Sequence, residues 1–353
     1  MTTGGNLFAQ QEANRKASRR LVAGFILFLS WLGFGGDLIW YLATRNAIDT
    51  SGLGAAHVFP GIGIFLTVFA AVMAWSGYRY GATLLLKTTG AREIETPSSE
   101  GEQRLVNVVE EMSIASGARK PRIWLVPDDH PNAFATGIRS DESHIAVTEG
   151  LLETLNREEL QAVVGHEMGH ISNLDVRLMT LLTALVGVVA IMHNNAFRVM
   201  RFGGGRGRSR SSSSDKGGGA MGVLVVVLLV LWVISWLIAP LVTRYMAMKV
   251  GRSREFLADA MSAQFTRNPG ALAQALEKIG SSEIKPKAIP KSSAQLCISD
   301  PYHSKWDERQ GRIADLMATH PPLQERVRRL REMAYQNAGT VESFQSPLSM
   351  SEA

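Results

Sequence analysis

Two histidines four residues apart, with a glutamate directly after the first, stand in QAVVGHEMGHISNLD, residues 161–175. In a helix, residues four apart share one face, one turn above the other. His166 and His170 can therefore point two imidazoles at one ion, with Glu167 on the same turn as the first. H-E-x-x-H is a zinc hydrolase pattern on these grounds. Gly165 and Gly169 are small enough for a substrate or a second element to approach closely. Val163 and Val164 would hold the helix against a core. A catalytic zinc takes three protein ligands and a water. The H-E-x-x-H-x-x-G-x-x-H extension is absent, with Asn173 where its glycine would stand, so the third ligand must come from elsewhere. SREFLADAMSAQF, residues 253–265, offers Glu255 and Asp259, again four apart. Glu255 can close the site, and Asp259 can hydrogen-bond the far ring nitrogen of a ligand histidine. Zinc acidifies bound water and polarises a carbonyl. Glu167 is placed to take the water's proton and pass it to a leaving amine. The substrate of such a site is an amide, most often a peptide, and its oxyanion needs a donor besides the metal.

These residues need elements to position them. NREELQAVVGHEMGHISNLD reads as a helix, with Asn156 as N-cap and Glu159 three positions later. Residues 100–118 have helical periodicity and end near a glycine. PRIWLVPDD reads as a strand and turn, and PNAFATGI and HIAVTEG as two further short strands. The stretch 255–337 is mostly helical, broken at RNPG and across residues 286–301, and frayed from Gly339.

Four apolar runs share the chain: 21–43, 58–75, 178–192 and 221–239. A spanning helix needs about 20 predominantly apolar residues. Three runs meet that criterion and the third in order is marginal. Buried core helices of a soluble protein rarely repeat at this length and purity, so the runs read as membrane spans. The first run lacks a clear small-x-small cleavage site and a second run follows closely, so it reads as an uncleaved anchor. NRKASRR precedes it, and Arg79, Lys87 and Arg92 follow the second run. By the positive-inside rule both outer flanks are cytoplasmic. The basic, Gly/Ser-rich stretch 201–219 fits that rule poorly and reads as a flexible linker. The expected organisation is a basic N-terminus (1–20), a membrane hairpin (21–78), a first protease segment (79–177), a second hairpin (178–240), a second protease segment (241–337) and a flexible tail (338–353). The expected fold is a mainly α, multi-span membrane protein with a zincin-like metalloprotease domain containing a small β-sheet. Both halves of the metal site must then lie on one side of the bilayer. The net charge of +5 flanks apolar runs and calls for no nucleic-acid partner, and the lone Cys297 forms no internal disulfide.

The stretches NAFATG, IAVTEGLL, HEMGHISNLD, SREFLADAMSA and THPPLQERVRRL, in this order, resemble the HtpX-type membrane zinc metalloproteases of the M48 family, relatives of the CAAX prenyl protease Ste24. The resemblance runs from NLFAQQEANRK to about Met333. It implies one catalytic Zn2+ on His166, His170 and Glu255, Glu167 as base, and Asp259 behind the ligands. It also implies that Asn132, Ala133 and Phe134 lie along the substrate as an edge strand, and that His320 and Arg326 are donors to the substrate or oxyanion. From the residues alone, His320 reads equally as a helix cap and Arg326 as part of a solvated basic helix. The function implied is quality control: cleavage of misfolded or damaged membrane proteins and unfolded polypeptides at a cytoplasm-facing site of a bacterial inner membrane.

Two rivals share parts of this pattern. A specific processing protease of the CAAX type would carry the same active-site residues, but four apolar runs are too few for a large enclosed chamber. A membrane scaffold with a structural metal would not need an acid such as Glu167 beside its ligands.

Overall fold

The computed structural model describes residues 7–44, 59–138, 142–202, 220–302 and 321–344. In chain order the elements are α1 (Leu7–Thr44), α2 (Gly61–Thr88), β1 (Arg92–Glu93), α3 (Glu100–Ser116), β2 (Arg122–Val126), β3 (Ala133–Gly137) and β4 (Ser143–Thr148). There follow α4 (Glu149–Thr154), α5 (Arg157–Ser172), α6 (Asp175–Phe202), α7 (Ala220–Thr266), α8 (Pro269–Ser281), a 3-10 helix (Lys291–Leu296) and α9 (Leu323–Phe344). The chain divides into two compact units. One comprises residues 1–17, 80–183 and 245–353, and the other 18–79 and 184–244.

The second unit is built on apolar helices. Phe25, Leu29 and Leu32 of α1, Ala70 and Ala74 of α2, and Leu185 and Val189 of α6 form its interior. Gly33 and Gly63 let α1 and α2 touch at backbone distance, since a Cβ on Gly33 would lie 2.7 Å from Gly63 Cα. Asp37, the one charge in its apolar run, is buried. Its Oδ2 accepts from the Gly63 N–H at 2.6 Å. A carboxylate is thereby set on the unpaired amides of the α2 N-terminus. The outer faces carry Leu27, Trp31, Phe65, Val68, Trp75 and Leu231, all exposed. Apolar residues this dense on a surface are suited to lipid. Among the described residues, Gln11–Leu42 and Gly61–Thr88 are long and apolar enough to cross a membrane. Four spans are expected from the sequence, and these two cover its first two runs. The marginal third run lies in α6, which passes the same test only jointly with α5, across an 83° bend. The fourth lies in α7, which continues without a break into the S-R-E-F-L-A-D segment.

The first unit holds the chemistry-bearing residues. Its four-stranded sheet runs β1-β2-β4-β3, with β2 and β4 parallel and β3 antiparallel to β4. All six residues of β4 are buried, and so are all five of β3, although β3 is an edge strand. Leu105, Val108 and Met112 of α3, Leu160, Val163 and Met168 of α5, Leu272 and Leu276 of α8, and Leu330 of α9 close one core with the sheet. The ends of these helices are set by their sequence. Ser99 caps α3 and Gly117 ends it with φ 65°. Asn156 and Glu159 form a reciprocal capping box on α5. The two-residue strand β1 is additional to the expected strands, and α9 continues to Phe344, past the fraying expected from Gly339.

Two expectations follow from this packing. A Cβ on Gly169 would sit 3.3 Å from Ala258 Cα and Met261 Cβ. Gly169→Val should therefore force α5 from α7 and destabilise the unit by about 1–3 kcal/mol, read as a lowered unfolding temperature in detergent. His144 is buried, and its Nδ1 accepts from the Trp124 indole at 3.1 Å. Burial, then Arg122, lowers its pKa from 6.5 to about 4. The unfolded chain binds that proton first, so this contribution costs no stability above about pH 6.5, grows as pH falls, and is complete below about 4. His144→Gln, which keeps an acceptor for the indole, should lose less thermal stability than the wild type between pH 7 and about 4.

Candidate metal centre

Helix α5 carries Gly165, His166, Glu167 and Gly169, all buried. Helix α7 passes its glycine face. A Cβ on Gly165 would meet Ser262 Oγ at 3.3 Å, as one on Gly169 would meet Ala258. Ser262, whose own Oγ donates to Ala162 O at 2.6 Å, locks the crossing. The second element for which the two glycines leave room is therefore α7. Glu255 and Asp259, one turn apart on that helix, are brought against the two histidines.

His166 Nε2 and His170 Nε2 lie 3.2 Å apart. Glu255 Oε2 is 3.7 Å from His166 Nε2, and Glu255 Oε1 is 3.5 Å from His170 Nε2. All three residues offer ligand atoms within 4.8 Å of one another. Ligands about 2.0–2.1 Å from a tetrahedral ion are about 3.3–3.4 Å from each other. The observed separations fit a divalent ion held by two imidazoles and a carboxylate.

Each imidazole is backed by a carboxylate. His166 Nδ1 lies 2.9 Å from Asp259 Oδ1, and His170 Nδ1 lies 3.4 Å from Asp175 Oδ2. Arg326 clamps Asp259 with two parallel hydrogen bonds, Nε to Oδ2 at 2.9 Å and Nη2 to Oδ1 at 2.7 Å. Its Nη1 donates to Ile298 O at 2.7 Å and lies 3.2 Å from Glu255 Oε2. The guanidinium that was expected to face substrate is thus turned to two carboxylates and a backbone carbonyl, and it is 1% exposed. His320 lies outside the described residues.

The electrostatics follow from burial against pairing. Burial lowers the pKa of His166. Burial also disfavours charge on His170, but Asp175 and Glu255 outweigh it and raise the pKa well above the usual imidazole range. The carboxylates that favour a proton there favour a metal cation in its place. Asp259 is held below its ordinary range because Arg326 and His166 overcome the effect of burial. Burial lifts Glu167 to about 7. Its two oxygens make no hydrogen bond of regular geometry, and the Ala135 N–H on the outer edge of β3 is its backbone neighbour.

The outer edge of β3 is partly taken by the chain itself. Ile298 N–H donates to Ala133 O at 2.9 Å, and Phe134 forms an antiparallel bridge with Cys297. Asn132 Nδ2 donates to Ser299 O at 2.9 Å. Gln295 Nε2 donates to Thr183 Oγ1 on α6 at 2.7 Å, fastening the same segment. Beneath it a cavity of about 20 Å³ touches Ala135, Glu167, His170 and Glu255. That is room for about one water.

The sequence pattern finds His166, Glu167, His170, Glu255 and Asp259, which the structure brings together. It misses Asp175, Arg254 and Asn14. Asp175 stands five residues after His170 in the stretch that identifies the site, and its type is the available signal. Residues 99–334 match Peptidase family M48. The chain is 35% identical over 327 residues to the Protease HtpX homolog of Streptococcus gordonii, covering 93% of this chain and all of that protein. It is 34% identical over 328 residues to the homolog of Thermoanaerobacter pseudethanolicus, covering 93% and 98%. The crystal structure of S. mikatae Ste24p is similar at TM-score 0.42 and 17% identity, covering 86% of this chain and 64% of that one. With relatives matching nearly end to end, the chain belongs to the HtpX-type proteases of peptidase family M48, a family of metalloproteases.

Proposed function

We propose that the chain is a zinc-dependent endopeptidase that cuts misfolded or damaged membrane proteins and unfolded polypeptides. The observation that carries this reading is the convergence of His166, His170 and Glu255 at ligand distances beside Glu167. Two imidazole nitrogens and a carboxylate are a donor set that suits zinc. When bound, the ion supplies Lewis acidity, acidifying a water and polarising a carbonyl. Glu167 takes the attacking water's proton on a carboxylate oxygen and returns it to the nitrogen of the departing chain. Its pKa of about 7 suits both halves of that transfer near neutrality. Asp259 and Asp175 orient the two imidazoles through their far nitrogens, and Arg326 holds Asp259 and Glu255 in register. From the family resemblance, His320 is a donor to the substrate or oxyanion.

An extended polypeptide would pair with the outer edge of β3 next to Glu167. Main-chain pairing recognises any strand, which suits substrates with no common side chain. Asn132, Ala133 and Phe134 serve substrate in this reading once the segment at residues 297–299 gives way. A cytoplasm-facing site is supported by the basic residues Arg79, Lys87 and Arg92, which follow the second apolar run, and the bacterial inner membrane is what the family resemblance implies.

Glu167→Gln should retain zinc while losing peptide cleavage by about 10²–10⁴-fold. Full proteolysis by that variant would remove Glu167 from the role of base. Stripping metal with a chelator should abolish wild-type cleavage, and added zinc should restore it; activity that persists without metal refutes the zinc requirement. Mass spectrometry of digests should show many cuts across an unfolded membrane protein. A single sharp cut would favour a processing protease instead.

A further inference from the structure

Helix α1 reaches the metal centre from the far end of the chain. Asn14 is 2% exposed, in a segment whose neighbours Arg15 and Lys16 are exposed. Its Nδ2 donates to Asp175 Oδ1 at 2.7 Å and to Asn173 O at 2.8 Å. Its Oδ1 accepts from Arg254 Nη2 at 2.7 Å. Arg254 Nε in turn lies 3.3 Å from the same Asp175 oxygen. One turn earlier on α1, Gln11 Nε2 donates to Ser172 O at 2.8 Å. Ser172 and Asn173 sit at the C-terminal end of α5, where carbonyls have no partner within the helix.

The polarity of these contacts is specific to asparagine. The site asks one short side chain to donate to a carboxylate and accept from a guanidinium. Aspartate cannot donate, and alanine can do neither. With Oδ1 committed to Asn14 and Arg254, Asp175 turns Oδ2 towards His170 Nδ1. His170 therefore receives the same kind of support that His166 receives from Asp259 and Arg326, but the anchoring group comes from α1.

We propose that Asn14 is a positioning residue of the metal centre, acting with Arg254 through Asp175 to set the His170 imidazole. This rests on the reading of His166, His170 and Glu255 as metal ligands. Partners behind a ligand histidine commonly change metal affinity by about 10–100-fold when removed.

The test uses the full-length chain in detergent, with zinc affinity measured by chelator competition and the cobalt(II) derivative by visible spectroscopy. Asn14→Asp, nearly isosteric, should weaken zinc binding about tenfold or more. It should also alter the cobalt bands, and lower kcat while leaving KM near its wild-type value. Lys16→Ala, on the exposed side of the same helix, should behave as wild type. A folded Asn14→Asp protein with wild-type zinc affinity and cobalt spectrum overturns the proposal, as does an equal loss in Lys16→Ala. If Asn14→Asp does not fold, Asn14→Ser is measured instead, and wild-type zinc affinity there overturns the proposal equally. Wild-type protein that binds no zinc refutes the metal-centre reading itself, and that result is distinct from a variant that binds as well as wild type.

Discussion

Two helices can bring side chains from both to one point only if their backbones come close enough for short carboxylates to reach. Here that closeness is made by Gly165 and Gly169 on α5 meeting Ala258 and Ser262 on α7. Residues of ordinary size at the glycine positions would separate the axes, and Glu255 would fall short of the imidazoles. The small residues are spaced four apart on α5, as are the histidines one position along. The same helical repeat that aligns the two imidazoles therefore aligns the contact that presents them to Glu255.

A site built this way concentrates charge where water is scarce. Asp175, Glu255 and Asp259 are buried with Arg254 and Arg326. Three carboxylates against two guanidinium groups leave excess negative charge, and the two imidazoles face each other across 3.2 Å at their Nε2 atoms. Burial of charge is costly unless each group is paired and hydrogen-bonded. Arg326 pairs with Asp259 and lies 3.2 Å from Glu255, and Asn14 and Arg254 pair with Asp175. The remaining demand points inward, to the place a divalent cation would fill. Glu167 stands apart from this network. Burial outweighs the pull of His170 and Arg326 and lifts its pKa to about 7, so its proton exchanges near neutral pH.

What could be read from the sequence divides along a physical line. His166, His170, Glu255 and Asp259 were legible because each pair repeats at a helical turn. The α5 capping box was legible because Asn156 and Glu159 are three apart. The three longer strands were legible from short apolar stretches bounded by turn residues. Asn14 was not, because it sits in NRKASRR, where neighbouring cations make the segment read as a flank for a membrane helix. Its burial depends on residues 159 to 240 positions away, and no local pattern encodes that. Arg326 was legible as a residue of the site through the family motif. Its direction was not, because a guanidinium in QERVRRLREM gives no sign of which carboxylate it will meet. The cover over β3 was equally hidden: residues 286–301 read as a break between helices, while the fold uses Cys297 to Ser299 as a short partner for an edge strand.

The candidate metal centre draws on α1, α5, the start of α6, α7 and α9, so its members are spread from Asn14 to Arg326. Contacts of such long sequence separation carry a large loop-closure entropy and are slow to form. During synthesis the H-E-x-x-H helix emerges long before Glu255 and Arg326 exist to meet it. A chain made only as far as α5 holds His166, Glu167 and His170 but none of Glu255, Asp259 and Arg326, so these side chains converge only once α7 and α9 are in place. Competence to cut arrives with completion of the fold.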